Sequence, residues 1–254
     1  MTALVTEPQV FDPRHTRNPV AKRPFVQQLF TRIAPRYDSF NRLASFGLDQ
    51  HWRKRVVKRA ALQPAHRVLD LCCGTGDLAI LCATAPYPPR QVVGVDMTLA
   101  MLERAHAKQQ AQKLPISWMQ GDAEALPFPT DTFDRITIGF STRNLSHLNE
   151  GLREMVRVLR PGGKLFILET GYPSNSVLRA LYQGFLFTGA RTIGWLLTGD
   201  CWPFTYLARS VRQFLTPIEM TERLHSAGTE VKYVPLSMGL ASLYCATKIA
   251  GHHA

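Results

Sequence analysis

The densest chemistry in the sequence lies in VLDLCCGTGDLA (68–79), where an apolar strand runs into the turn Gly74-Thr75-Gly76 and on into a helix. Glycines there let the backbone come close to a ligand, and free amides at a helix N-terminus favour a carboxylate or phosphate. The turn alone does not select a cofactor, because nicotinamide enzymes use a related G-x-G-x-x-G. Ala79 stands where that fingerprint wants its third small residue, and Asp70 and Asp77 flank the turn. Two carboxylates would repel a pyrophosphate but suit a ligand carrying an ammonium and a sulfonium. Asp96, followed by Met97, closes the apolar run QVVGVD, 26 residues after Asp70. A carboxylate there can accept bonds from both hydroxyls of a ribose. Asp122 and Ala123 follow the run ISWMQ; an acceptor beside a small side chain suits an adenine amino group and a flat ring.

Ammonium, sulfonium, ribose and adenine together describe S-adenosylmethionine. The segments QGDAEALPFPTDTFD (120–134) and EMVRVLRPGGKLFILE (154–169) follow in the order typical of methyltransferases. The elements needed to position these residues alternate regularly. Strands are expected at 67–72, 91–96, 116–120, 134–140 and 164–170, and a closing antiparallel hairpin at 231–236 and 242–248. Thr98 is expected to cap the helix LAMLERAHAKQQAQ, and Pro161-Gly162-Gly163 to stop a helix over Asn149–Leu159. The pattern predicts an α/β, Rossmann-like class I methyltransferase fold with a mostly parallel seven-stranded sheet and a reversed C-terminal strand. Residues 1–22 read as a flexible arm broken by prolines, ahead of one domain over 23–254. Within it, 23–60 form a helical cap striped by Phe25, Leu29, Phe30 and Ile33. Residues 174–215 form an apolar insertion expected to cover the C-terminal edge of the sheet.

The chain has 254 residues and a net charge of +11, unevenly placed: residues 1–67 hold 13 Lys/Arg against 4 Asp/Glu. This suits an anionic surface, lipid or nucleic acid. No apolar run is long enough to span a bilayer, and no secretory or transit segment is expected, so the reading is cytoplasmic with contact at the inner membrane face. The 5 cysteines are scattered without zinc spacing, and no metal is expected. The ending GHHA, with His252 and His253, reads as a frayed tail.

FTRIAPRYDSFNRLASFGLDQHWRKR (30–55), DLCCGTGDLA, ITIGFSTRN and LREMVRVLRPGGKL resemble the ubiquinone/menaquinone-biosynthesis C-methyltransferase family, from about Val26 to Lys248. The resemblance implies methyl transfer to a ring carbon of a prenylated lipid quinol, demethylmenaquinol or a related naphthoquinol or benzoquinol. It places Thr75, Asp96, Asp122 and Ala123 in the cofactor site. The family's Ser-Phe-Gly before its Arg-Asn pair is Gly139-Phe140-Ser141-Thr142 here, and Leu-Glu-Phe-Ser is Leu168-Glu169-Thr170-Gly171. A third departure, Leu243-Tyr244-Cys245-Ala246-Thr247-Lys248, also falls on the acceptor side.

A phenol-like hydroxyl ionises near ~10 in water, so a cation beside the quinol would help form the quinolate. Arg143, beyond the fourth strand, is the candidate catalytic residue, and a salt bridge under the insertion is its structural alternative. Tyr37, Asp38, Asn41, Asn144 and Tyr206 are candidate substrate contacts, with helix capping an equal role for Tyr37 and Asp38. A homodimer stays open. Nucleic-acid methylation is the rival raised by charge, but the fourth strand ends in GFSTRN and lacks an Asp/Asn-Pro-Pro-aromatic motif, and no Pro-Cys nucleophile is present. A cofactor-binding module without turnover and a soluble natural-product methyltransferase are the remaining alternatives.

Overall fold

The computed structural model describes residues 18–250. Four helical segments open the chain: α1 (Pro19–Ile33), a 3₁₀ turn at Ala34–Arg36, α2 (Tyr37–Ala44) and α3 (Leu48–Ala60). Helix α1 begins four residues ahead of the expected boundary. Asn18 caps it by accepting the Val20 N–H at 3.0 Å. Pro19 therefore opens the helix, at a position where a missing N–H costs nothing, instead of prolonging the arm. The rest of the arm and the GHHA tail lie outside the described residues.

Strand and helix then alternate: β1 (Arg67–Leu71), α4 (Asp77–Ala83), β2 (Gln91–Asp96), α5 (Leu99–Gln112), β3 (Ile116–Gln120), β4 (Phe133–Gly139), α6 (Leu148–Val158) and β5 (Leu159–Thr170). Helices α7 (Ser176–Phe187), α8 (Gly189–Thr198) and α9 (Trp202–Gln213) form the apolar insertion. Helix α10 (Pro217–Ser226), β6 (Thr229–Leu236) and β7 (Ala241–Lys248) complete the domain. The sheet order is β3-β2-β1-β4-β5-β7-β6, with β7 antiparallel to both neighbours. One strand is reversed, as the sequence predicts. The order turns outward at β1 and β4, and in open α/β sheets ligands bind at that switch point beyond the strands' C-terminal ends.

Two local expectations fail. Pro161-Gly162-Gly163 does not follow the helix as a turn. Helix α6 ends at Val158, and β5 starts at once by pairing Leu159 with Phe133. The extra residues are absorbed as a register shift before Arg135 meets Lys164, so the Pro-Gly-Gly is a bulge inside a strand. Thr98 precedes α5 but its side chain makes no cap. Its N–H is instead committed to the Asp96 carboxylate, 2.8 Å away.

Three apolar clusters hold the domain. One face of the sheet packs Ile136 and Ile138 against Leu152 and Met155 of α6 and Met220 and Leu224 of α10. The other packs Val68 and Phe166 against Val56 of α3 and Leu78 and Cys82 of α4. The third joins Val26 and Leu29 of α1, Phe40 of α2, Leu186 of α7 and Phe204 of α9. This last cluster fixes the insertion to the N-terminal helices, so both together roof the C-terminal ends of β4 and β5.

Candidate active site

After β1 the chain turns with positive φ at Cys72, Gly74 and Gly76. Asp70 holds this turn from inside: one carboxylate oxygen accepts the Ala79 N–H at 3.0 Å and the other the Thr137 hydroxyl at 2.7 Å. Burial pushes the Asp70 carboxyl up to about 7, against the pull of those two bonds and of Arg53. Asp96, at the end of β2, is 8% exposed. Its oxygens accept the N–H groups of Gly74 and Thr98, both at 2.8 Å. Burial raises the carboxyl and the two amides oppose the rise. The glycine turn and the β2 carboxylate are thus bolted to one another by backbone bonds.

A cavity opens beside them. Gly74, Asp96, Met97, Asp122 and Ala123 line it. Asp70, Thr75 and Gly76, expected in the same site, do not. Thr75 is buried and donates its hydroxyl to Asp38 at 2.5 Å. Gly76 is needed for packing: a Cβ there would come within 2.6 Å of the Trp118 ring. Asp38 likewise does not reach the cavity. Lys108 of α5 binds its carboxylate at 3.0 Å and that of Asp77 at 2.6 Å, locking α2 to the start of α4.

Helix α1 supplies a wall that the motifs did not reveal. Arg23, Val26 and Phe30 line the cavity, Arg23 pairs with Asp122, and Gln27 donates to the Met97 carbonyl at 3.0 Å. The only sequence signal is the apolar stripe Phe25, Leu29, Phe30 and Ile33, which reads equally as core and does not single out Arg23 or Val26.

A second, apolar cavity lies under the insertion. Leu29, Trp52, Phe140, Leu186 and Phe204 provide apolar wall, while Tyr37, Asn41, Arg143, Asn144 and Tyr206 provide polar groups. Phe30, Tyr37 and Asn144 line both cavities and so form the partition between them. Tyr206 donates its hydroxyl to Asn144 at 3.1 Å. Burial pushes Tyr206 and Tyr182 up to about 12, while the Arg143 charge pulls the other way.

Arg143 is not a free cation. It is 9% exposed, and one guanidinium nitrogen donates to Glu169 and to the Phe140 carbonyl, both at 2.5 Å. Glu169, 1% exposed, also accepts the Thr142 hydroxyl at 2.8 Å. The Nε of Arg143 is buried without a partner. Glu169 is the residue the sequence reading missed. In the sequence it stands out only as part of a departure from the family pattern. Among the described residues, Glu124, His147 and Glu150 gather three possible ligand groups, but His147 is already paired with Glu124 at 3.1 Å.

A switch-point cavity between a glycine turn and a β2 carboxylate, on a sheet with one reversed strand, defines a class I S-adenosylmethionine-dependent methyltransferase. Residues 18–248 match the ubiE/COQ5 methyltransferase family, and the chain belongs to it. It is 38% identical over 216 residues to a demethylmenaquinone methyltransferase of Thermus thermophilus, covering 85% of this chain and 98% of that one. It is 41% identical over 229 residues to a 2-phytyl-1,4-naphtoquinone methyltransferase of Thermosynechococcus vestitus, covering 88% and 99%. Among solved structures, an S-adenosylmethionine-dependent methyltransferase from Aquifex aeolicus superposes with a TM-score of 0.57 at 20% identity, over 78% of this chain and 89% of that one. At that identity the likeness concerns the fold.

Proposed function

We propose that the chain methylates a ring carbon of a reduced prenylated quinone, demethylmenaquinol or a related naphthoquinol or benzoquinol. The observation that carries this reading is the pair of cavities sharing Phe30, Tyr37 and Asn144. A chamber carrying Asp96, Asp122 and Glu124 at the sheet's switch point adjoins an apolar chamber whose lining suits a ring and the start of a tail. The names of the two bacterial relatives support the naphthoquinol within that class.

The donor set fits the cofactor. Asp96 and Asp122 supply acceptors for ribose hydroxyls and an adenine amino group, and Ala123 and Met97 flank the ring position. The faces of Phe30 and Tyr37 suit the approach of a cation. When bound, S-adenosylmethionine supplies an electrophilic methyl on a sulfonium that departs as a neutral thioether. A quinol hydroxyl that loses its proton to solvent pushes electron density onto the free ring carbon, which takes the methyl and then gives up its own hydrogen as a proton, restoring the aromatic ring. The protein aligns that carbon across the partition and excludes water with the third apolar cluster. The unpartnered Nε–H of Arg143 is assigned to the forming quinolate, with Glu169 fixing the guanidinium plane. Neither a metal nor a covalent nucleophile is needed.

The substrate's tail calls for a membrane source, and no helix among the described residues is long and apolar enough to cross one. Reversible contact with an anionic bilayer face is therefore part of the proposal. The functional test is incubation of the purified chain with S-adenosylmethionine and a reduced naphthoquinone lacking its ring methyl. A product carrying one more carbon on the ring is expected. Hydroxyl methylation or no product refutes the reading.

A further inference from the structure

Large exposed apolar side chains recur along α7 of the insertion and on the turns beside it. Helix α7 carries Val177 and Leu181 four residues apart, both about two-thirds exposed. One turn further, Phe185 lies against Phe46 with ring centroids 5.5 Å apart, and Phe46 is 79% exposed. At the other end, Val177 and Leu181 share a shallow groove with Tyr172 and Met238, and Met238 is 78% exposed. Phe46 and Met238 both occupy left-handed backbone, at φ 52° and 56°. That conformation costs a residue with a Cβ, and here it holds an apolar side chain out in water, where burial gives nothing back. Aligned exposure of this kind marks a contact surface.

The charge beside it identifies the partner. Helix α3 starts directly after the Phe46–Gly47 turn, and its exposed side carries Lys54, Arg55, Lys58 and Arg59. The ion pairs that α3 makes run from Asp49 and Arg53 on its buried side. Among the described residues no carboxylate pairs with those four cations. Trp52 of the same helix donates its indole N–H to Ser237 at 2.9 Å, tying α3 to the turn that bears Met238. Arg179 stacks over the Tyr172 ring at 4.8 Å, placing another cation at the margin. Apolar side chains with a helix of cations without carboxylate partners leading away from them match the interface of an anionic bilayer. A second copy of the chain is a poorer partner, because a two-fold contact would set the basic sides of two α3 helices near one another.

We propose that Phe46, Val177, Leu181 and Met238, with the basic side of α3, seat the protein on an anionic phospholipid surface. The Phe46–Phe185 contact is the portal for the prenyl tail: Ala44 and Ser45 on one side of it and Leu186 on the other line the apolar cavity. The portal rests on the quinol reading; the docking face does not.

The test is flotation of the full chain with vesicles of phosphatidylcholine alone and of phosphatidylcholine with phosphatidylglycerol. Wild type floats with the anionic vesicles, less so in high salt. Leu181→Ser/Met238→Asn and Lys54→Glu/Lys58→Glu each lower that partition at least tenfold, while both keep their melting temperature and methylate a tail-less naphthoquinol at the wild-type rate. Asparagine at 238 tolerates the left-handed backbone, so loss there reports the missing side chain. Equal flotation of wild type and both variants overturns the docking face. So does a wild-type dimer in solution that Leu181→Ser/Met238→Asn dissociates. Wild type that floats but leaves the tail-less quinol unmethylated contradicts the functional reading and leaves the docking face standing.

Discussion

At the scale of single residues, the site works by fixing acceptors before any ligand arrives. Asp96 is held by two backbone amides, so its carboxylate loses no orientation freedom when a ribose binds. Asp96→Ala should weaken S-adenosylmethionine by at least tenfold in calorimetry, about 1.4 kcal/mol, the scale of one charge-assisted bond; unchanged affinity would remove Asp96 from the site. Arg143 needs a more careful test because it is half of a buried pair. Removing it alone strands Glu169 and costs about 3–5 kcal/mol of stability. Arg143→Gln/Glu169→Gln keeps the site neutral and recovers most of that loss. Its single-turnover rate should still be about ten- to a thousandfold low, the range for one lost donor at a developing charge. The deficit should shrink as pH rises and solvent ionises more of the quinol. A double variant with wild-type turnover would make the pair purely structural. Asp70 gives a stability prediction. Its folded carboxyl titrates near about 7 against a reference of 3.8. The folded state therefore binds the proton more tightly, and stability is lost as pH rises from about 4 through about 7 and is level beyond. Asp70→Asn, which can still bond to Ala79 and Thr137, should flatten that part of the melting-temperature profile. An unaltered slope would place the titration elsewhere.

Elements position those residues through a few close contacts. Trp118 of β3 donates its indole N–H to Gln109 of α5 at 2.7 Å and lies over the backbone of two glycines. A Cβ at Gly94 would stand 2.3 Å from its ring, and one at Gly76 2.6 Å. Gly94→Ala should therefore destabilise by about 1–3 kcal/mol in urea unfolding, the usual cost of overpacking. Trp118→Leu should recover part of it, and additive losses would show that the clash is not the cause. Sequence periodicity carried the positions of the seven strands and the reversal at the C-terminus, because buried parallel strands are short apolar runs between turn residues. It misread Pro161-Gly162-Gly163, since a glycine bulge inside β5 and a helix stop use the same residues. It also misread Asn18-Pro19, which caps α1, because a proline ahead of a helix looks like one inside a loop. The places of Asp96 and Asp122 beside the switch-point cavity were legible from their positions at the ends of β2 and β3. The Arg143–Glu169 pair was not, because it joins two strands' ends 26 residues apart and no spacing rule links them. Nor was the role of α1, whose apolar side chains serve the core and the switch-point cavity at once.

At the scale of the whole molecule, the sheet offers a chamber with carboxylates at its switch point, and the N-terminal helices and the insertion build an apolar chamber against it. Phe30, Tyr37 and Asn144 stand between the two, so each chamber has meaning only through the other. In the proposed reading, the basic N-terminal region and the apolar insertion serve one purpose, delivery of a membrane-borne ring to that partition. The most direct measurement is a single-turnover experiment with S-adenosylmethionine labelled on its methyl carbon, an excess of full-length protein, and the same naphthoquinone in reduced and oxidised form. The account predicts label on the free ring carbon of the quinol, none on its oxygens, and none on the oxidised ring, whose carbon is electron-poor. Label on a hydroxyl oxygen, or equal labelling of the oxidised quinone, would contradict it.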